Sequence, residues 1–108
     1  MAAPHTIELL WFRDCPSHEA ARALLRELAG AIAPDVPIAD IDATDAVIAA
    51  RHRFPGSPTI QIDDRHVDPS FVDSGDYAPR CRLYRTVDGL RPLPERQWVA
   101  AALREAAG

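Results

Sequence analysis

From Thr6 to Phe12 the chain reads TIELLWF, a short apolar run rich in strand formers that predicts a buried first strand. Arg13-Asp14-Cys15-Pro16 breaks the run, and Pro16 suits the first position of a helix, where its missing N–H is no loss. Ser17 and Glu19 follow in the expected first turn, the acid complementing the positive helix end. Ala21, Leu24, Leu25, Leu28 and Ile32 then recur at helical spacing and define one apolar face, which Gly30 and Pro34 fray and stop. Pro37 to Ile41 predicts a second short strand. Thr44-Asp45 is expected to cap another helix, carrying Val47, Ile48 and Ala50 toward Arg53.

A tight loop, Pro55-Gly56-Ser57-Pro58, precedes a strong strand signal at Thr59 to Asp63. Asp63-Asp64-Arg65 reads as a turn and His66-Val67 as a brief return strand. Asp68 to Arg80 is polar and rich in turn formers, so a loop is expected there. Cys81 to Thr86 is a further strand candidate, closed by a turn at Asp88-Gly89. The last helix is expected to start near Pro94-Glu95 and to bury Trp98, Val99, Ala102, Leu103 and Ala106. The order β-α-β-α-β-β-α, with a loop inserted late, predicts an α/β fold whose mixed sheet is covered on both faces.

Composition narrows the function classes. The chain has 108 residues, enough for one domain with one core. Hydrophobic content of 47% and charged content of 26% are ordinary for a globular domain. A net charge of -4 gives no electrostatic case for nucleic acid or an anionic membrane surface. Every basic residue is arginine, so lysine chemistry such as a Schiff base is excluded. No apolar run approaches the ~20 residues that span a bilayer, and the first residues lack the features of a signal peptide. A cytoplasmic, reducing setting is therefore expected, in which two cysteines are free, catalytic or metal-binding more often than a structural staple.

The two cysteines, Cys15 and Cys81, carry the candidate chemistry. A thiol at a helix N-terminus faces unpaired backbone N–H groups and the positive end of the macrodipole, which favour the thiolate. Arg13 would add to this, as would a charged His18, and Asp14 would oppose it. The other candidates have plain structural readings. Trp11 and Trp98 are core aromatics, His18 is an exposed first-turn residue, and Asp63, Asp64, Asp68, Asp73 and Asp76 are solvated turn residues. Their spacing matches no calcium loop. Arg80, Arg82 and Arg85 read as a solvent-facing row, with an anion- or thiolate-stabilising patch as the alternative.

A strand ending in Trp11-Phe12-x-x-Cys15-Pro16 at a helix start resembles the active-site corner of the thioredoxin superfamily. About forty residues on, His52 to Ile60 (HRFPGSPTI) resembles that family's second landmark, a loop holding a cis-proline before the central hairpin. The hairpin Pro58 to Val67 is similar to its glutaredoxin counterpart. The resemblance covers nearly the whole chain. It is nearest to small bacterial thioredoxin-fold proteins with a lone cysteine in Cys-Pro and a late Cys-Arg-x-Tyr, some labelled organomercurial-lyase-like. It implies a single thioredoxin-like domain, a three-layer α/β/α sandwich with a mixed sheet of about four strands. It also implies Cys15 as nucleophile, with Ser57, Pro58, Pro16 and Trp11 as the substrate platform. A cis Pro58 would pack over Cys15 and leave Ser57 as the backbone contact for a peptide or glutathione.

The fourth position of the motif departs from the dithiol pattern. Where dithiol members have Cys-x-x-Cys, this chain has His18: Cys15-Pro16-Ser17-His18. Three completions stay open. Glutathione resolves the intermediate as co-substrate with no bound cofactor, although Ser74-Gly75-Asp76 only loosely echoes a glutathione motif. Alternatively Cys81 resolves it. Or Cys15, His18 and Cys81 bind a soft metal or organomercurial, though no acid follows Cys81 and only Asp14 could deliver a proton. The expected partners are thiol or disulfide substrates, peptide or small molecule; a binding module without turnover is the remaining alternative.

Overall fold

The computed structural model describes residues 4–107. Its elements are β1 (Ile7–Trp11), α1 (His18–Ile32), β2 (Ile38–Asp42), α2 (Ala46–Arg51), β3 (Thr59–Ile62), β4 (Arg65–His66), β5 (Tyr84–Thr86), β6 (Gly89–Arg91) and α3 (Arg96–Ala107). A four-stranded mixed sheet runs β2-β1-β3-β4, with β1 parallel to β2 and antiparallel to β3. The α1 crossover supplies the parallel pair, as parallel strands require. No helix among the described residues is long and apolar enough to cross a membrane.

Helices cover both sheet faces, and β1 places apolar residues on each of them. Ile7 and Leu9 point into a cluster with Ala21, Leu25 and Leu28 of α1 and Val99 and Leu103 of α3. Leu10 points the other way, against Ala43, Ala49 of α2 and Phe54. A strand buried on both faces loses the polar–apolar alternation of a half-exposed one. Each fully buried leucine contributes about 1.5–3 kcal/mol of transfer free energy, so β1 anchors both layers.

The boundaries differ from expectation where local hydrogen bonds decide. Helix α1 starts at His18, not at Pro16, because the Cys15 N–H donates to the Phe12 carbonyl and closes a turn first. In α2 the Asp45 carboxylate accepts from the Val47 and Ile48 N–H groups, and the buried residue is Ala49 while Val47 stands exposed. Asp63 and Asp64, at φ 51 and 64, both adopt the left-handed conformation of a two-residue hairpin turn. The Asp63 carboxylate then reaches back to the N–H groups of His5 and Thr6 at 2.6 and 2.9 Å, tying the start of the chain to the hairpin.

The expected strand over Cys81 to Thr86 is shorter and lies elsewhere. Only Tyr84–Thr86 forms a strand, paired with β6 in a separate two-stranded ribbon. Tyr84 sets this geometry: its ring is fully buried and its hydroxyl donates to the Pro58 carbonyl. Trp98, expected in the core, is half-buried, its ring tilted against Tyr84 at 6.3 Å.

His66 on β4 stacks on Phe71 with ring centroids 3.5 Å apart, which pins the start of the 68–80 loop to the sheet. Burial holds its pKa down to about 4, and the Arg82 charge adds to this while Asp68 and Asp73 oppose it. The unfolded chain therefore binds a proton here that the folded chain refuses. The contribution is complete above the ordinary value of 6.5 and is lost as pH falls toward about 4. Urea unfolding midpoints should decline across that window, and His66→Phe should flatten the decline. An equal decline in the variant would contradict this assignment.

Candidate functional site

Antiparallel pairing of β1 with β3 sets Leu10 opposite Thr59. The turn after β1 and the loop before β3 therefore lie at one end of the sheet. The first carries Cys15 and the second carries Ser57 and Pro58, joined by a cis peptide. The Cys15 thiol donates to the Ser57 carbonyl oxygen, with Sγ 3.6 Å away. Cys15 is only 2% exposed, so this thiol lies beneath the surface.

The late segment completes the site. Cys81 forms a parallel β-bridge with Ser57. The Ser57 N–H donates to the Arg80 carbonyl at 2.7 Å, and the Arg82 N–H donates to the Ser57 carbonyl at 2.9 Å. Cys81 is exposed, and it flanks the same Ser57 backbone that accepts from the Cys15 thiol. Desolvation by the surrounding chain pushes the Cys81 thiol up, and the neighbouring Cys15 and the Asp14 carboxylate add to the shift. The two cysteines thus flank the Ser57 backbone, one buried and one exposed. Both are free thiols in this structure.

This arrangement revises the expected platform. Ser57 is expected to offer its backbone to a substrate, yet both its N–H and its C=O are engaged by residues 80–82 of the same chain. Its hydroxyl oxygen is buried and has no hydrogen-bond partner among the described residues. Pro16 is an exposed turn residue ahead of α1. Trp11 stacks on the His18 ring at 4.6 Å, with the Arg22 guanidinium over its ring at 5.3 Å, and its indole N–H donates to Asp40.

The tuning residues are likewise committed elsewhere. Arg13 pairs with Asp42 at 3.3 Å, and its N–H donates to Thr44. His18 is mostly buried, because its ring stacks on Trp11 and its Nδ1 lies 3.2 Å from Arg22. Among the described residues no cluster of three or more His, Cys, Asp or Glu side chains is grouped to hold a metal ion, so the trio Cys15, His18 and Cys81 is not assembled. Ser74-Gly75-Asp76 forms an exposed turn in which Asp76 pairs with Arg80 at 3.0 Å.

The residues that hold Cys81 in place are ones whose sequence pattern reads as solvated. Arg82 is largely buried; it ion-pairs with the buried Asp68 at 3.4 Å and donates to Thr59 Oγ1 at 3.1 Å. Its guanidinium also lies 4.2 Å from the Tyr84 ring centroid and 5.7 Å from that of Phe71. Asp68 further accepts from the Ser70 N–H and hydroxyl. No periodicity betrays such a pair; the one signal is the Cys-Arg-x-Tyr spacing, which puts Arg82 and Tyr84 on a common side.

Compared with protein-family models, with curated proteins and with solved structures, the chain matches none of them.

Gly56 lets the late segment approach. Its φ of +148° is a glycine conformation, and a Cβ there would fall 2.8 Å from the Arg82 Cβ. Gly56→Ala should destabilise the fold by about 1–3 kcal/mol in urea titration. It should also speed alkylation of Cys15, because residues 80–82 must shift away. Unchanged stability together with unchanged Cys15 labelling would contradict the packing described.

Proposed function

We propose that this chain is a thiol–disulfide oxidoreductase of the thioredoxin/glutaredoxin type, with Cys15 and Cys81 as its working pair. The observation that supports this most is the convergence of three segments of the chain, in which Cys15 and Cys81 both contact the Ser57 backbone. Cys81 supplies the second thiol that the Cys15-Pro16-Ser17-His18 motif lacks. Cys15 is the internal nucleophile: it attacks the Cys81 sulfur whenever that sulfur is held in a mixed disulfide. An external thiol such as glutathione returns the pair to the dithiol form. No bound cofactor is needed for this cycle.

Three further features agree with the reading. The sheet carries helices on both faces and sets Cys15 beside a cis-proline loop, the arrangement that the thioredoxin-like resemblance implies. Ser57 Oγ, the one buried side-chain nitrogen or oxygen without a partner among the described residues, lies at this spot. Unsatisfied buried groups concentrate where function outweighs stability. Finally, Cys81 sits in an exposed position from which exchange with solution thiols is possible.

A soft-cation carrier is the second reading, and it rests on the same two adjacent thiols. It would have Cys15 and Cys81 as its ligands, since His18 is engaged by Trp11 and Arg22. It requires a soft metal retained through purification and lost in Cys15→Ser.

Oxidation with glutathione disulfide, followed by alkylation and peptide mapping, tests the redox reading. It predicts a linked peptide pair containing Cys15 and Cys81, and loss of catalysed thiol–disulfide exchange in Cys15→Ser. Full alkylation of both cysteines after oxidation, or undiminished exchange in Cys15→Ser, would overturn it.

A further inference from the structure

Residues 80–82 fill the place beside Ser57 where an incoming extended chain would pair. Strand-like recognition of a polypeptide needs a free backbone N–H and C=O at the platform. At Ser57 both are taken, one by the Arg80 carbonyl and the other by the Arg82 N–H. The occupant is firmly held. Arg82 lies over the Tyr84 ring and near that of Phe71, is hydrogen-bonded to Thr59 and is paired with buried Asp68. Gly56 leaves no gap, since the Arg82 side chain fills the space beside its backbone. Cys15, at 2% exposure, lies beneath this cover, whereas Cys81 is on its outer side.

We infer that Cys81 is the sulfur that meets substrate, and that the substrate is a low-molecular-weight disulfide, or in reverse a small thiol, rather than an extended polypeptide. This rests on the redox reading and assigns the substrate class of the same site. The late segment acts as a built-in occupant of the platform and admits only molecules small enough to reach Cys81 from solvent. Arg82 is its positioning residue.

In the first step the Cys81 thiolate attacks one sulfur of a small disulfide RSSR; the S–S bond breaks, and the departing RS⁻ takes up the proton lost from Cys81. A mixed disulfide, Cys81–S–S–R, remains. The Cys15 thiolate then attacks the Cys81 sulfur, forming the Cys15–Cys81 disulfide and releasing the second RS⁻, which takes up the Cys15 proton. The chain loses two electrons and two protons, and RSSR becomes two RSH. Two small thiols drive the same steps backward.

Two measurements on the full chain test this. In the reduced native protein, limiting iodoacetamide with peptide mass readout should label Cys81 at least about tenfold faster than Cys15, because Cys15 is buried and Cys81 is exposed. Hydroxyethyl disulfide should oxidise the pair, while the polypeptide disulfides of insulin should be reduced no faster than in a protein-free control. Arg82→Ala, which frees the late segment, should gain in the rate of Cys15 alkylation and should slow oxidation of the pair by hydroxyethyl disulfide. The alkylation order needs no variant, so it decides the matter even if Arg82→Ala does not fold. Faster labelling of Cys15, insulin reduction by the wild-type chain at a rate matching hydroxyethyl disulfide, or a folded Arg82→Ala with no gain would overturn the substrate assignment alone. No reaction with either disulfide would overturn the redox reading beneath it.

Discussion

Ser57 makes two backbone hydrogen bonds to residues 80–82, and most of what is distinctive in this molecule depends on them. Its N–H reaches the Arg80 carbonyl, and its own carbonyl accepts from the Arg82 N–H. That same carbonyl is the acceptor for the Cys15 thiol. One residue's backbone therefore joins the turn after β1, the loop before β3 and the end of a long irregular segment. Cys81 is the middle residue of the segment so captured, which is why it lies at the same backbone as Cys15. Without the bridge, Cys81 would ride on an unrestrained loop, and the two thiols would be strangers.

The bridge is secured from both sides by buried polar contacts. Arg82 and Asp68 form an ion pair largely shielded from water, with side-chain exposures of 13% and 8%. A buried pair is a poor source of net stability, but removing one partner strands the other charge at a cost of about 3–5 kcal/mol. Such a pair acts through specificity: it admits one placement of the late segment and penalises the rest. Tyr84 adds a second anchor by donating its hydroxyl to the Pro58 carbonyl, and burial pushes that phenol up so that it stays a donor. The sheet supplies the frame. Parallel β2 and antiparallel β3 flank β1, and the apolar residues of β1 are buried in the layers above and below it.

Much of the frame was legible in the sequence because it depends on local patterns. The apolar run of β1, the helical spacing of Leu25 and Leu28, the Asp45 cap and the Asp63-Asp64 turn each carry their own signal within a few residues. Cys15 was legible too, at the break between β1 and α1. The start of α1 was not, since a Cys15-to-Phe12 hydrogen bond competes with helix geometry and leaves no compositional trace. The placement of Cys81 was illegible for a deeper reason. It is decided by Arg82 pairing across fourteen positions with Asp68 and across twenty-three with Thr59, contacts between polar residues that in one sequence look like any solvated loop. The same is true of Arg13 and His18, whose partners Asp42 and Trp11 lie on neighbouring strands.

If the fold itself holds Cys81 against Cys15, disulfide formation must be far more favourable in the native chain than in the unfolded one. The direct measurement is the equilibrium constant for Cys15–Cys81 disulfide formation against a glutathione buffer, in native conditions and again in concentrated urea. Closing a loop of this length in an unfolded chain costs about 4 kcal/mol of entropy that the native state has already met. The native constant should therefore exceed the denatured one by about a thousandfold. A native constant equal to or below the denatured one would contradict the placement of Cys81 against Cys15.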